Sequence, residues 1–175
     1  MNIFISDDNP IVAAQNLDDK RVVKMILESA QMLGSALHLC GASHLAKYKK
    51  THINHPSNIW VRQTVGNYNW LLVHFEALCD EYEFRYGKIH ASRSMLADLK
   101  EGAKYLPTGT LTPFANCAKR SDMNIDYSGI NDIPVAYQAY LKDRWKNDKL
   151  KPKWTARGEP SFLKDLYADT NSSAT

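Results

Sequence analysis

The chain alternates long segments of helical hydrophobic periodicity with short polar breaks that contain proline, glycine or asparagine. Apolar residues recur at three- and four-residue spacing in two long segments, which predicts helices over about 19–40 and 67–86. Gly41 and Gly87 follow directly, and glycine is a typical residue just beyond a helix end. These two long helices are expected to form the centre of the fold.

Shorter helices are predicted around this pair, and four of them begin at or near a proline, which is favoured in a first helical turn. They are expected at 9–15, 57–64, 92–105, 132–147 and 160–167, the last of them ahead of a frayed Ser/Thr end. Residues 2–5 are too few for more than an extended arm or an edge strand, and no pair of strands stands out. The pattern therefore predicts an all-α fold with long connecting loops, in which residues 1–175 form a single compact domain.

Composition narrows the class of protein. A hydrophobic fraction of 44% in 175 residues is that of a globular chain with a real core. No apolar run approaches the roughly 18 residues of a membrane span, and the start MNIFISDD lacks the features of a signal peptide. Three cysteines without CxxC spacing predict reduced thiols rather than a zinc site. We therefore expect a cytoplasmic protein that has no membrane partner.

The distribution of charge indicates the kind of partner, although the net charge is only +3. Between Glu28 and Glu76 no acidic residue occurs, and five of the six histidines lie there. A second basic stretch, 142–157, has seven lysines or arginines against two aspartates and leads into a basic tail over about 149–175. Two basic regions with interleaved aromatic residues suit a polyanion, although lysine-rich loops that only maintain solubility remain an alternative.

The first long helix carries a narrow polar stripe on an otherwise apolar surface. At about 100° per residue, its members fall within roughly 80° of arc. They are Lys20, Lys24, Glu28, Gln31, Ser35 and His38. A carboxylate beside an amine is the minimum for chemistry at C1′ of a nucleotide, because the amine attacks while the carboxylate stabilises positive charge and moves protons. The stripe favours Glu28 and Lys24 as catalytic groups, with an ordinary solvent-facing stripe as the alternative.

A second polar and aromatic patch covers residues 52–70 and the helix after it. His55, Asn58 and Asn67 are candidates for substrate binding there, and Arg62 is a natural phosphate ligand. His74 on the second long helix is a further candidate, with a satisfied core histidine as the more ordinary reading. His52 and His55 have no third metal ligand at suitable spacing, so neither a metal nor another cofactor is expected.

Two segments carry a resemblance to known proteins. The segments DDKRVVKMILESAQML and NHPSNIWVRQTVGNYNWLLVHFEALCDEYEFRYGKIH look like a family of small proteins common in bacteriophage genomes. The likeness covers most of 1–90 and reappears at KWTARGEPSF, residues 153–162. More distantly, the chain is similar to the pyrimidine-dimer DNA glycosylases of the endonuclease V type. Those are compact all-α enzymes that flip a base and use an N-terminal α-amine as the nucleophile.

The resemblance implies a role for Glu28. In that family the first long helix reads aspartate, any residue, histidine, seven further residues to the catalytic glutamate, and an arginine three residues on. The same register here gives Asp19, Arg21, Glu28 and Gln31. It implies that Glu28 is the catalytic carboxylate, while Arg21 stands where the family has histidine and Gln31 where it has arginine. With Glu28 as the catalytic group, we expect Lys20, Arg21 and Gln31 to line the pocket.

The same resemblance implies a DNA-contacting end around Trp154. It also leaves the nucleophile open, because asparagine at position 2 is too large for efficient removal of the initiator methionine. The amine would then belong to Met1 or to Lys24.

Three functions follow from these patterns. The leading hypothesis is an N-glycosylase that acts on damaged or modified pyrimidines in DNA, with or without abasic-site lyase activity, and flips its target base. The second is a hydrolase or transferase that acts on a free nucleotide or nucleotide messenger. The third is a non-catalytic nucleic-acid-binding phage protein in which Lys24 and Glu28 form only a structural pair. No feature of the sequence predicts an oligomeric state.

Overall fold

A computed structural model describes residues 1–164 of the chain. The described part is mostly helical, as the sequence predicts, around one connected hydrophobic core. The helices are α1 (Pro10–Gln15), α2 (Asp19–Leu39), α3 (Pro56–Gln63), α4 (Val65–Tyr86), α5 (Leu96–Gly102) and α6 (Ile133–Asn147). Of the helix expected at 160–167, residues 161–164 are helical. The rest of it, the Ser/Thr end and the end of the predicted basic tail lie outside the described residues.

Local chemistry fixes the helix ends close to where the sequence predicts them. The side chains of Asn9, Thr64 and Asp132 accept hydrogen bonds from backbone N–H groups of the first turns of α1, α4 and α6, which would otherwise lack partners. Gly41 and Gly87 follow α2 and α4 with φ of 84° and 63°, backbone conformations that glycine adopts without strain. The start and end predicted for α6 are confirmed.

The long helices α2 and α4 pack along each other, with α1 and α3 also against α4. The arm before α1 runs into the core rather than along a sheet edge, since Ile3, Phe4 and Ile5 are all buried. Phe4 has a φ of 61°, which a bulky residue rarely adopts, and its ring stacks on Tyr140 at 5.8 Å between centroids. The arm is therefore held in a turned conformation beside α6.

Two elements differ from the prediction. The sequence pattern begins the second long helix after Gly66, but α4 begins at Val65, and a Cβ on Gly66 would lie 2.4 Å from the backbone of Thr110 and Leu111. This glycine therefore allows the connecting loop to cross the first turn of α4. The helix expected over 92–105 is divided into α5 and a 3₁₀ turn on either side of it.

A small hairpin is the feature that the sequence does not predict. Strand β1 (Lys119–Arg120) pairs antiparallel with β2 (Ile125–Asp126). Strands of two residues are too short for an alternating pattern to reveal them. The Asn116 side chain donates to two backbone carbonyls beyond β2, and the Tyr127 hydroxyl donates to Asp143 on α6. The hairpin is thereby fixed to α6.

Residues 153–162 form a strap across the beginning of α2 and the end of α4. The Trp154 indole donates to the carbonyl of Asn16 at 3.0 Å, and Arg157 binds both carboxylate oxygens of Glu81. Phe162 stacks on Trp145 of α6. The strap thus packs against the helices that it crosses. Within residues 1–164, no helix has both the length and the apolar character needed to cross a bilayer.

Candidate active site

The Glu28 carboxylate lies in a cavity of about 230 Å³ between the N-terminal arm, α2, the start of α3, the hairpin and α6. The arm, α2 and the start of α3 contribute Met1, Asn2, Phe4, Lys24, Glu28 and His55 to its wall. The hairpin region and α6 contribute Cys117, Lys119, Arg120, Tyr140 and Arg144. Among these described residues Glu28 is the one carboxylate, so the cavity is strongly basic around a single acidic group.

Three nitrogen atoms approach the Glu28 carboxylate. The α-amine of Met1 lies 4.0 Å from Oε2, and the backbone N–H of Asn2 donates to the same oxygen at 3.1 Å. Lys24 Nζ lies 3.3 Å from Oε1. The Glu28 side chain is 16% exposed, whereas that of Lys24 is 67% exposed. The carboxylate is therefore partly shielded from water. Each of its two oxygens faces a different candidate amine.

The Asn2 side chain fixes the position of the amine. Its Nδ2 donates to the carbonyl of Cys117 at 3.0 Å, and its Oδ1 accepts from the hydroxyl of Tyr137 at 2.6 Å. Tyr137 is fully buried on α6 and its hydroxyl also accepts from the backbone N–H of Cys117. The end of the chain is thus bound to two segments more than 100 residues away in sequence, and it has little freedom beside Glu28.

The Met1 side chain is itself anchored. It is 2% exposed, and Asn58 Nδ2 lies 3.7 Å from its sulfur atom while also donating to the carbonyl of Thr51. Asn58 is fully buried, and its Oδ1 has no hydrogen-bond partner in the part of the chain that the structure describes. Asn58 therefore supports the first residue rather than facing the cavity.

His55 lies at the cavity wall as an uncharged imidazole. Its Nδ1 accepts the backbone N–H of Ser57 as the N-cap of α3, so the proton of the neutral ring is on Nε2. Partial burial lowers the pKa of His55, and the positive charge of the N-terminal amine lowers it further. The ring therefore adds a hydrogen-bond donor to the cavity without adding charge near neutral pH.

Several residues predicted to line the pocket lie elsewhere. Arg21 is buried and binds Asp18 at 2.8 Å and Asp148 at 2.9 Å, so its guanidinium joins α2 to the end of α6. Gln31 is half-buried one turn beyond Glu28 and does not contribute to the cavity wall. Lys20 is exposed and lies on an adjoining groove. The stripe on α2 thus brings only Lys24 and Glu28 into the cavity.

The candidates after position 60 are occupied by contacts within the fold. Arg62 donates to the carbonyl of Ile53 at 2.7 Å. Asn67 is fully buried and joins α3, α4 and the loop at Thr112. His74 is fully buried, with Nδ1 hydrogen-bonded to the carbonyl of Pro10. Trp154 is buried in the strap, with its ring against that of Trp145. These side chains do not meet at the cavity.

The structure adds residues that sequence reasoning missed. Asn2 is the first of these. It is a polar residue in a short apolar arm, and its partners Cys117 and Tyr137 cannot be predicted from the sequence around it. Lys119 and Arg120 are adjacent cations in a stretch without periodicity, which is a weak signal. Arg144 belongs to the basic stretch 142–157, and that stretch is the signal that could have found it.

Comparison with known families gives a match over the part of the chain that carries the arm, α2 and α4. A model described as pyrimidine dimer DNA glycosylase matches residues 1–95. The chain belongs to the pyrimidine dimer DNA glycosylase family. Comparison with curated proteins and with solved structures gave no match. Membership of this glycosylase family implies a DNA-repair function and a DNA substrate at the level of the family. The resemblance to the pyrimidine-dimer DNA glycosylases that the sequence indicates is confirmed.

Proposed function

We propose that the protein is a DNA N-glycosylase for a damaged or modified pyrimidine, with Glu28 as the catalytic carboxylate and the α-amine of Met1 as the nucleophile. The observation that carries the proposal is the meeting of this amine and the backbone N–H of Asn2 at one oxygen of Glu28, at 4.0 and 3.1 Å. The family match over residues 1–95 includes all three residues and supports the same assignment.

The geometry supports a two-stage reaction. The neutral amine attacks C1′ of the target nucleotide, the C1′–N bond breaks, and the base leaves with the electron pair and is protonated. Glu28 stabilises the positive charge at C1′ and accepts the proton that the amine loses. The C1′–O4′ bond then breaks, O4′ takes the proton from Glu28, and an iminium forms between the amine and C1′. Water hydrolyses this iminium, or loss of the 3′ phosphate by β-elimination from it cuts the strand, which is the lyase step.

Met1 is favoured over Lys24 for two reasons. As a class, α-amines lose their proton about two to three pH units below lysine side chains, so a larger fraction is neutral near pH 7. The Met1 side chain is also buried and fixed, whereas Lys24 is 67% exposed. Lys24 neutralises part of the negative charge of Glu28. Lys24 and His55, both at the cavity wall, also contact the substrate.

Trapping with borohydride tests this assignment. Duplex DNA that contains a pyrimidine dimer or an abasic site is incubated with the protein and borohydride, which reduces an iminium to a stable covalent adduct. We expect the wild type to form the adduct and Glu28→Gln to form it at least about 100-fold more slowly. Glu76→Gln is the matched control, because Glu76 also pairs with a lysine, Lys100, on the protein surface.

Mass spectrometry of the digested adduct then identifies the amine. We expect the adduct on residue 1 in both the wild type and Lys24→Gln, and a smaller loss of rate in Lys24→Gln than in Glu28→Gln. An adduct on Lys24 would show that Lys24 and not Met1 is the nucleophile. The protein could instead bind DNA without forming an adduct on either substrate, and Glu28→Gln could bind DNA as tightly as the wild type. Those two results together would refute the proposed reaction and support a non-catalytic DNA-binding protein.

A further inference from the structure

Two arginines lie where the Glu28 cavity meets a second hollow. Arg120 and Arg144 belong to the wall of the cavity and also to the wall of an open groove of about 550 Å³. The groove is lined further by Lys20 at the start of α2 and by Lys149 after α6. The two hollows therefore adjoin at these two residues, and basic residues continue from the cavity into the groove.

We propose that Arg120 and Arg144 hold a phosphodiester group of the DNA strand that enters the cavity, and that Lys20 and Lys149 carry the backbone onward along the groove. The inference rests on the proposed function and extends it to the path of the strand. Guanidinium groups bind phosphate through paired hydrogen bonds, and lysines add point charges along a backbone. A groove that continues beyond the reacting centre fits a polymer better than a free nucleotide.

The charges of both arginines are available to a phosphate. Arg120 binds both carboxylate oxygens of Asp122 through Nε and Nη2, but Asp122 is 65% exposed, so a phosphate can compete with it for the guanidinium. Arg144 donates to the neutral hydroxyl of Tyr140 through Nη1, and its buried Nε has no hydrogen-bond partner among residues 1–164, so any phosphate would meet Arg144 at its terminal nitrogens. Asp148, which also lines the groove, lies 2.9 Å from the Arg21 guanidinium but 4.0 Å from that of Arg144.

Both arginines are held at fixed positions relative to Glu28. Arg120 belongs to β1, and the hairpin is bound to α6 through Tyr127 and Asp143. Arg144 is on α6 itself, and its guanidinium lies over the Tyr140 ring at 5.8 Å. Neither arginine is within the residues that the family model matches, so the family assignment does not account for them.

The test measures binding of a duplex with a single tetrahydrofuran abasic analogue, which the enzyme cannot convert. Fluorescence anisotropy over about 50 to 200 mM salt gives the affinity and its salt dependence. We expect Arg120→Gln and Lys149→Gln each to weaken binding about fivefold at the lower salt and to reduce the salt slope by about 0.9, the loss of one phosphate contact. Arg93→Gln is the matched control, since Arg93 also pairs with an exposed aspartate, Asp80.

The outcomes separate this inference from the function on which it rests. If the wild type forms the borohydride adduct but both groove variants bind with wild-type affinity and slope, the strand path is overturned and the glycosylase stands. If thymidine monophosphate binds tightly while the duplex shows no salt-dependent binding, the strand path is overturned in favour of a free nucleotide. If there is neither an adduct nor duplex binding, the proposed function fails as well.

Discussion

The environment of Glu28 determines what the site can do at the scale of single residues. One carboxylate receives a backbone N–H and faces two amines, and the remaining charged groups of the cavity wall are cations. A positive charge that develops at a sugar carbon can be stabilised only by this carboxylate among the described groups at the cavity. In the reaction that we propose, Glu28 alone stabilises this charge, and the phosphates of a bound strand balance the surrounding cations.

His74 gives a prediction at the same scale. Complete burial lowers its pKa to about 4, and its hydrogen bond to the Pro10 carbonyl opposes the shift only in part. The folded state therefore keeps the ring neutral, whereas the unfolded chain binds a proton below about pH 6.5. Stability is complete above that pH and falls by about 3 kcal/mol as the pH drops from 6.5 to 4.

Urea unfolding at several pH values between these limits measures the loss. The control is His74→Asn, which keeps a donor toward the Pro10 carbonyl but does not titrate. Between pH 6.5 and 4, we expect the free energy of unfolding of the wild type to fall by about 3 kcal/mol more than that of His74→Asn. Equal pH dependence of the two proteins would contradict the assignment of the loss to His74.

The candidate site could be predicted from the sequence only where its residues are close along one helix. Lys24 and Glu28 are four residues apart, so helical geometry alone places them together. Asn2 and Arg144 lie at the cavity because of tertiary packing, which cannot be predicted from the residues near them in the sequence. His74 and Arg21 show the converse, since polar residues on a helix can be committed to buried contacts with segments far away in the sequence.

At the scale of elements, Gly66 determines how a loop crosses a helix. A Cβ at this position would lie 2.4 Å from backbone atoms of Thr110 and Leu111, and backbone cannot rotate away as a side chain can. We expect Gly66→Ala to lower the free energy of unfolding by about 1–3 kcal/mol. Gly129→Ala is the control, because the added Cβ would have no neighbour within 4 Å among the described residues. Equal denaturation midpoints for the two variants would refute the close approach.

The elements themselves were largely predictable because their ends are set by adjacent residues. Caps at Asn9, Thr64 and Asp132 act within three residues of the helix that they begin. The hairpin was not predictable, since each of its strands has two residues and its stability comes from Asn116 and α6. The inclusion of Gly66 in α4 also could not be predicted, because it depends on contact with a loop that is distant in the sequence.

At the scale of the whole molecule, Tyr137 joins three distant segments. Its hydroxyl donates to Asn2 and accepts from the backbone of Cys117. We expect Tyr137→Phe to lower the free energy of unfolding by about 1–3 kcal/mol and the rate of adduct formation at least about tenfold, because the amine loses its anchor. Chemical denaturation and borohydride trapping measure the two effects.

Tyr68→Phe provides the matched control for this variant. Tyr68 is also fully buried, and its hydroxyl donates to the carbonyl of Leu99, away from the cavity. We expect a similar loss of stability with an unchanged rate of adduct formation. A reduced rate in both variants would mean that the rate follows stability and not the position of the amine.

The anchoring of the first residues also constrains the order of events during synthesis. Asn2 is synthesised long before its partners at Cys117 and Tyr137. Domains fold as units during synthesis, and here the amine has no fixed position beside Glu28 until α6 has emerged. In the reaction that we propose, a nascent chain would therefore be unreactive toward DNA until α6 has folded against the N-terminal arm.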